Sequence, residues 1–488
     1  MNRDMKKFII LMLAVYVMTS CHDEIELSPI SNPSVGNFYR NAADLESAVV
    51  GAYSALQLQG QYGLDYPYFM EVRSDNSTVT DIGTAGGRLY RFDVFDLATS
   101  NLEVTQTWID AYDGIQRCNV VLNRIDGISD MPAATKAIRI GEVKFLRALT
   151  YFNLVRIFGD VPLVLTETTN PNNSVGVGRT AASAVYTQII QDLADAAASL
   201  PATTDVGRAS SGAANALLGK VHLTLGNNAE AITALGAVTG YSLVTSYANL
   251  FGSANENNVE SIFEVQFVGG SGSSVAFNGL GNGTGEGSLF PNMFGPFGGS
   301  ALIGGGQTLG ENRATQDLFD SYDPADPRRD VNIGSFAGNL YPAKLVETAS
   351  GDFDSDVNSI VLRYADVLLM HAEALNEQSY VADGLAFDLV NQVRTRAGLA
   401  NITSATVADQ AAFRLAVENE RRWELAFENH RWFDLVRTGR AEAVMNAHGP
   451  AQPGSYAFSS IDSHQLLFPV PQLEIDNNPG VITQNTGY

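Results

Sequence analysis

The chain has 488 residues, 45% of them hydrophobic and 17% charged, a composition typical of a folded protein with a large core rather than a disordered chain. Its formal net charge of −23 argues against nucleic acid or an anionic lipid surface as a partner. The only two cysteines, Cys21 and Cys118, exclude a disulfide framework, and the length allows two or three ordinary domains or one large helical array.

The first residues have the pattern of a lipoprotein signal peptide. Arg3, Lys6 and Lys7 form a basic start, and the apolar run that follows, residues 8–17, is too short to span a bilayer. Small residues then precede Cys21, where cleavage and lipidation are expected. We predict that residues 1–20 are removed and that a lipid on Cys21 is the only membrane attachment. The alternative is an ordinary secretory signal with an incidental cysteine.

Apolar residues recur with helical spacing through most of the chain. The pattern predicts helices over residues 44–58, 108–125, 135–158, 181–200, 211–225, 229–238, 360–377, 385–397 and 407–444. One helix pair indicates the architecture, because it fits the tetratricopeptide spacing at Leu218, Gly219, His222, Ala231 and Leu235. Gly219 would let the second helix approach closely. We predict a mainly α fold, a tetratricopeptide-like right-handed helical array with long loop insertions.

Two irregular regions rich in glycine, polar and aromatic residues interrupt these helices. The first insertion, residues 59–101, holds several Tyr and Phe residues, and the second insertion, residues 269–306, is rich in glycine and carries four Phe residues. The glycines do not have the spacing of a dinucleotide-binding loop. Irregular segments of this length are usually either functional or disordered.

The segment Glu418–Arg440 mixes charged and aromatic residues too closely for a surface helix. Its apolar residues spread around most of the helix circumference, which predicts a helix packed on several sides. Charges three or four residues apart predict internal ion pairs, since buried charges must be paired. These pairs are Glu418 with Arg421 and Arg422, Glu428 with Arg431, and Asp434 with Arg437. The three tryptophans of the chain, Trp108, Trp423 and Trp432, all lie in helical patterns and are interpreted as core.

Several long motifs in series carry a resemblance to a known family. They occupy residues 108–125, 141–165, 363–377, 389–399, 418–440 and 466–488. Together they resemble the SusD/RagB family, the outer-membrane nutrient-binding lipoproteins of Bacteroidetes polysaccharide-uptake systems. The resemblance implies a SusD-like domain over residues 21–488, with an N-terminal part of about residues 21–240 and a C-terminal part of about residues 241–488.

The resemblance also implies a function. Members of this family are lipid-anchored at the cell surface, capture oligosaccharides and deliver them to a TonB-dependent SusC-like outer-membrane transporter. The residues themselves show no nucleophile–base pattern, no zinc motif and no complete calcium loop. We therefore predict a binding protein with no catalytic residues, no metal and no cofactor.

Candidate ligand-binding residues come from the two insertions, where the family's ligand sites are formed. A sugar ring packs its C–H face on an aromatic side chain, and its hydroxyls bond to Asp, Asn or Arg. Because every tryptophan lies in a helical pattern, Tyr and Phe must supply the aromatic surface. If the two insertions converge, the ligand-binding residues are Tyr66, Arg73, Asp75, Asn76, Arg88, Tyr90, Phe294 and Phe297.

The charge of the chain favours a neutral glycan, since few basic residues lie near these positions. Two other functions stay open. One is capture of peptides by a RagB-like lipoprotein, and the other, less favoured, is a surface glycan hydrolase that uses loop carboxylates. A glycan array on the purified mature protein, with turnover checked on any hit, would separate the three.

Overall fold

The computed structural model describes residues 38–79, 83, 87–170, 172, 175–277 and 283–488. Cys21 and the predicted signal peptide lie outside the described residues. The helices are α1 Ala42–Ser54, α2 Asp65–Val72, α3 Tyr90–Asp93, α4 Leu102–Arg124, α5 Ala133–Phe158, α6 Ala182–Ser199, α7 Ser211–Thr224, α8 Asn228–Gly236, α9 Phe290–Phe294, α10 Gln316–Ser321, α11 Arg328–Asn332, α12 Tyr364–Gln378, α13 Leu385–Arg396, α14 Gln410–Glu424, α15 Arg431–Arg437, α16 Ala441–His448 and α17 Gln472–Asn477. The strands are β1 Ser77–Thr78, β2 Ser261–Val265, β3 Arg313–Ala314, β4 Ile333–Phe336, β5 Asn339–Pro342 and β6 Ser359–Arg363.

Polar side chains cap the first turn of several long helices. Asn101 accepts hydrogen bonds from the backbone N–H groups at the start of α4, Ser210 does so for α7, and Asp409 for α14. Each cap satisfies backbone donors that have no partner inside the helix and contributes about 1 kcal/mol. The caps therefore explain why these helices begin where they do.

The long helices pack on one another in chain order. Helix α4 lies against α5, α5 against α6, α6 against α7 and α7 against α8, while α12 packs with α8, α13 and α14. Where α7 crosses α8, a Cβ atom added to Gly219 would collide with the side chain of Leu235, so the close approach expected at Gly219 is confirmed. The predicted mainly α, tetratricopeptide-like array is confirmed.

Two of the helix predictions are wrong in detail. Residues 360–363 do not begin a helix, because they form the end of β6, which pairs antiparallel with β2. Residues 407–444 do not form one helix but three, α14, α15 and α16. The first break contains Phe427 and Asn429, both in the left-handed region with φ of 63° and 65°.

A carboxylate from the first insertion holds that break. Glu71, in α2, accepts hydrogen bonds from the backbone N–H of Phe427 at 3.0 Å and of Asn429 at 3.1 Å, and from the side chain of Asn76 at 3.1 Å. Burial raises the pKa of Glu71 to about 7, although these three hydrogen bonds act to lower it. The break is thus stabilised from outside its own helix pair.

The break also changes which charges meet. The predicted pair of Asp434 with Arg437 is present at 2.9 Å. The pair predicted for Glu428 with Arg431 is wrong, because the helix breaks between α14 and α15. The pairs predicted for Glu418 with Arg421 and Arg422 are wrong although all three residues lie in α14, because Arg421 binds Asp366 and Asp434, and Arg422 binds Asp75 and Asp317. The observed partners are Arg431 and Arg440 for Glu418, and Lys344 and Arg363 for Glu428.

One large core cluster runs from Leu45 to Ile482 and joins side chains from both halves of the chain. A second cluster fills the space between α12, α13 and α14, and a third packs α10 and β4 against the break. Trp108 and Trp432 are buried, as predicted, whereas Trp423 is half-buried and donates its Nε1–H to Ser321 Oγ at 3.1 Å. The division into parts of about 21–240 and 241–488 stays a prediction.

Candidate functional site

The two insertions converge, as the prediction of a shared site requires. Strand β1 of the first insertion pairs antiparallel with β3, which follows the second insertion, with Ser77 opposite Ala314 and Thr78 opposite Arg313. Below this pairing Tyr68 donates its hydroxyl to Glu311 at 2.6 Å. The two insertions therefore form one surface region.

The two aromatic residues Tyr66 and Phe294 lie beneath this surface rather than on it. Tyr66 is 5% exposed, lies between Tyr62 and Phe433, and accepts a hydrogen bond from Arg156 at 2.8 Å. Phe294 is fully buried. The structure contradicts a ligand-binding role for both side chains, because hydrophobic burial has already removed their rings from solvent.

Asp75 and Asn76 are also framework residues. Asp75 accepts two hydrogen bonds from Arg431, at 2.8 and 2.9 Å, and pairs with Arg422. Burial acts to raise the pKa of Asp75, but the two guanidinium groups hold it well below its ordinary value. Asn76 donates to Glu71 and accepts from Arg422 at 2.9 Å. Their role as hydroxyl partners is contradicted, since their polar atoms bind the segment around the α14–α15 break.

Arg73 is buried inside a ring of aromatic side chains. Its guanidinium lies 4.2 Å from the ring centre of Phe95, 4.9 Å from that of Trp432 and 4.8 Å from that of Phe468. It donates to the carbonyl oxygen of Gln465, and burial lowers its pKa to about 10. The predicted contact of Arg73 with a ligand is contradicted, because its guanidinium is buried among side chains of the core.

Arg88 and Tyr90 lie nearer the surface. Arg88 binds Glu103 through both Nε and Nη2, at 3.0 and 2.8 Å, and this hydrogen bonding raises its pKa. Tyr90 is half-buried, donates its hydroxyl to the carbonyl oxygen of Ser455, and lies edge-on to Tyr456 with ring centres 6.3 Å apart. A ligand-binding role for these two residues stays a prediction.

Phe297 differs from all other aromatic residues that the structure describes. Its side chain is 75% exposed, whereas every other described Phe, Tyr and Trp is buried or half-buried. Because an aromatic ring exposed to water gains no hydrophobic stabilisation from folding, Phe297 is available to contact a ligand.

The loop that carries Phe297 is held firmly on both sides. Gly310 donates its N–H to the carbonyl oxygen of Gly295 at 2.8 Å, and Thr308 donates its hydroxyl to the carbonyl oxygen of Pro296 at 2.7 Å. A Cβ atom on Gly310 would lie 2.8 Å from the backbone nitrogen of Phe297, so the chain at Gly310 packs closely against the backbone of Phe297. Phe297 is therefore presented by a preorganised loop, and binding costs little ordering of the backbone.

A residue that sequence reasoning missed lies in the same region. Arg313 is half-buried, its Nε is buried without a hydrogen-bond partner, and within the described part of the chain its guanidinium forms no ion pair. It lies just beyond the second insertion as the sequence bounded it. No sequence signal singled it out, because Glu311, two residues earlier, offers an apparent acidic partner.

Acidic side chains from the loop before β6 fasten the start of the second insertion. Asp354 accepts from the N–H groups of Gly270 and Gly272, each at 2.9 Å, and Asp356 accepts from the N–H of Gly269 at 2.9 Å. These carboxylates thus serve the loop backbone. Among the residues that the structure describes, no cluster of three His, Cys, Asp or Glu residues has the geometry to hold a metal ion.

Two grooves of about 400 Å³ lie away from the two insertions. One of about 430 Å³ is lined by ion pairs of α12, α14 and α15, and one of about 410 Å³ lies on α7 and α8. Neither is lined by Phe, Tyr or Trp, so neither offers a surface on which a sugar ring stacks. Over the described ranges, no helix combines the length and apolar character needed to cross a membrane.

Comparison with known proteins gives consistent matches. Residues 328–488 match the model of the SusD family, and residues 32–223 match the family described as starch-binding associating with outer membrane. The chain is 30% identical to SusD-like protein P25 of Formosa agariphila, over 99% of each chain.

Solved structures agree with these matches. A laminarin binding SusD-like protein is 30% identical, with a TM-score of 0.77, over 92% of this chain and 100% of that one. A SusD homolog from Bacteroides thetaiotaomicron is 26% identical, with a TM-score of 0.82, over 94% of this chain and 99% of that one. The similarity thus covers almost the whole length of the described structure.

Proposed function

Because the chain belongs to the SusD/RagB family, we propose that it is a cell-surface glycan-binding lipoprotein that captures oligosaccharides and delivers them to a TonB-dependent SusC-like transporter. The lipid on Cys21 would hold the protein at the outer membrane. Membership of the family supports delivery to a transporter.

The observation that carries glycan binding is the exposed ring of Phe297 on its preorganised loop. A sugar ring that stacks on it would bury apolar area on both partners without rearranging the backbone. Arg88 and Tyr90 lie on the adjoining first insertion and are proposed to extend this surface.

A neutral glucan is the proposed ligand class, and laminarin is the first member to test. One relative of 30% identity is a laminarin binding protein. A neutral ligand also suits a chain of net charge −23, which would repel an acidic polysaccharide.

Binding without hydrolysis is proposed because three carboxylates in and beside the two insertions are buried and already engaged. Glu311 accepts from Tyr68, Glu103 binds Arg88, and Asp93 accepts from Thr78 at 2.6 Å. A general acid and base for glycoside cleavage would need carboxylates available to the scissile bond.

The test is calorimetric titration of the purified mature protein with laminarihexaose, followed by the variant Phe297→Ala. We expect the variant to lose about 2 kcal/mol of binding free energy, roughly thirtyfold in Kd, with an unchanged melting temperature. Phe297→Trp should retain binding, since it keeps an aromatic face.

Leu415→Ala is the matched control, because Leu415 is an exposed apolar residue, 48% exposed, on α14. It should bind as the wild type does. If Phe297→Ala also binds as the wild type does, the aromatic surface on which the sugar stacks lies elsewhere. Release of shorter sugars during the titration would favour the hydrolase alternative.

A further inference from the structure

Arg313 has hydrogen-bonding capacity that the fold does not use. Arg88 binds Glu103 and Arg91 binds Asp96, whereas Arg73, whose Nε and Nη1 also lack an acceptor, is packed against aromatic rings of the core. A half-buried guanidinium whose Nε has no acceptor is unfavourable in the folded chain unless something outside the chain supplies the acceptor. The described part of the structure gives Arg313 no such group.

The position of Arg313 relative to Phe297 is set by the backbone. Gly310 packs against the backbone of Phe297, and Arg313 lies three positions after Gly310, a span of at most about 11 Å. Strand β3 pairs with β1 at this point, Arg313 opposite Thr78, so the backbone of Arg313 is held by a second segment. The backbone of Arg313 therefore lies within the length of an oligosaccharide stacked on Phe297.

The chemistry of an arginine fork identifies what it would bind. Its parallel N–H donors match two adjacent oxygens in one plane, as neighbouring hydroxyls of a sugar ring provide. A neutral ligand supplies these acceptors without bringing a further negative charge to a chain of net charge −23.

We propose that Arg313 contacts the ligand, donating to adjacent hydroxyl oxygens of the sugar next to the one stacked on Phe297. The inference rests on the proposed glycan-binding function and adds a specificity-determining residue to it. Stacking on Phe297 does not distinguish one sugar from another, because any sugar ring with an apolar face can stack on it. Arg313 would select a ligand whose two adjacent hydroxyls match the spacing of its two parallel N–H donors.

The experiment measures the Kd of laminarihexaose for Arg313→Met and Arg313→Lys. Methionine keeps the apolar stem and removes the donors, so we expect binding at least about tenfold weaker with an unchanged melting temperature. Lysine keeps the charge but not the fork, and we expect it to restore little of the affinity. Wild-type affinity should stay nearly constant as NaCl is raised, because a neutral ligand brings no charge to screen.

Arg440→Met is the matched control, since it removes the same charge from an arginine that is 46% exposed and lies beside Glu418. It should bind as the wild type does. If Phe297→Ala weakens binding and Arg313→Met does not, the inference is overturned and the proposed function stands. Full rescue by Arg313→Lys, with affinity that falls steeply in salt, would replace hydroxyl recognition by charge recognition and overturn it too. If the wild type binds neither laminarin nor any other neutral glycan, the proposed function fails and this inference with it.

Discussion

Replacing Arg363 by Met is the sharpest test of how the C-terminal half is held together. Arg363 is 1% exposed at its side chain and donates to three carboxylates. It contacts Glu260 at 2.9 Å, Glu424 at 2.5 Å and Glu428 at 2.6 Å, and also donates to the carbonyl oxygen of Glu424. Burial raises the pKa of Glu424, but Arg396, Arg363 and Arg328 together hold it below its ordinary value.

The expected loss follows from which charges the change leaves behind. Removing one member of a buried ion network costs about 3–5 kcal/mol, because the remaining charges stay buried without their partner. Glu424 keeps Arg396 and Arg328, and Glu428 keeps Lys344, so the loss should fall inside this range rather than above it. With an unfolding entropy of about 1 kcal/mol/K for a chain of this length, the melting temperature should fall by about 3–5 °C.

Arg414→Met is the matched control. Arg414 binds Glu377 through two hydrogen bonds of 2.5 and 2.8 Å, but its side chain is 51% exposed. Exposed pairs contribute about 0–1 kcal/mol, so its melting temperature should shift by no more than about 1 °C. Calorimetry on both variants gives the comparison. Equal shifts for the two would refute the argument that burial, rather than hydrogen-bond geometry, decides the cost.

Three further outcomes are expected. Burial raises the pKa of Asp93 to about 7; the folded carboxyl therefore stays protonated where the unfolded one has ionised, and stability falls as pH rises from about 4 to about 7. The melting temperature of Asp93→Asn should therefore fall less than that of the wild type between pH 5 and pH 8. An equal fall for the two proteins would contradict this prediction. Trp432 is 1% exposed, so Trp432→Ala leaves a cavity in the core and should lower the free energy of unfolding by about 3–5 kcal/mol without a specific loss of ligand affinity. Lost binding at an unchanged melting temperature would instead show that Trp432 belongs to the ligand-binding site. Cys21→Ala should release a folded, soluble protein, and its recovery wholly in membranes stripped of any transporter would show that the lipid is not the anchor.

Helical periodicity predicted most of the architecture because the long helices are amphipathic and locally capped. Periodicity failed between Glu424 and Arg431, where Phe427 and Asn429 take left-handed conformations, which are uncommon for Phe and more accessible to Asn. Glu71 stabilises that geometry, and it lies more than 350 residues earlier in the chain. No local pattern reports a contact of that range.

The predicted site failed in part for a related reason. Sequence reasoning sought the partners of the basic residues at 418–440 within the same segment and assigned Asp75 and Asn76 to a ligand. In the structure Arg431 donates to Asp75 and Arg422 donates to Asn76, so these polar residues of the first insertion are the acceptors for the basic residues of 418–440. Convergence of the two insertions was predictable in outline, but which aromatic ring reaches solvent depends on packing that composition does not report.

Within the second insertion, the residue proposed to bind the ligand and the residues that stabilise the loop are different. Asn292 accepts the N–H of Leu309 at 2.8 Å and donates its side chain to the carbonyl oxygen of Gln307 at 2.7 Å, so the base of the loop is fastened on its buried side. Phe297 is 75% exposed and contributes little to the core. Substitutions at the exposed tip can therefore change the surface offered to a ligand while the base stays folded. Changes at Asn292 would act on stability and on ligand affinity together, because the same hydrogen bonds hold the ring in place.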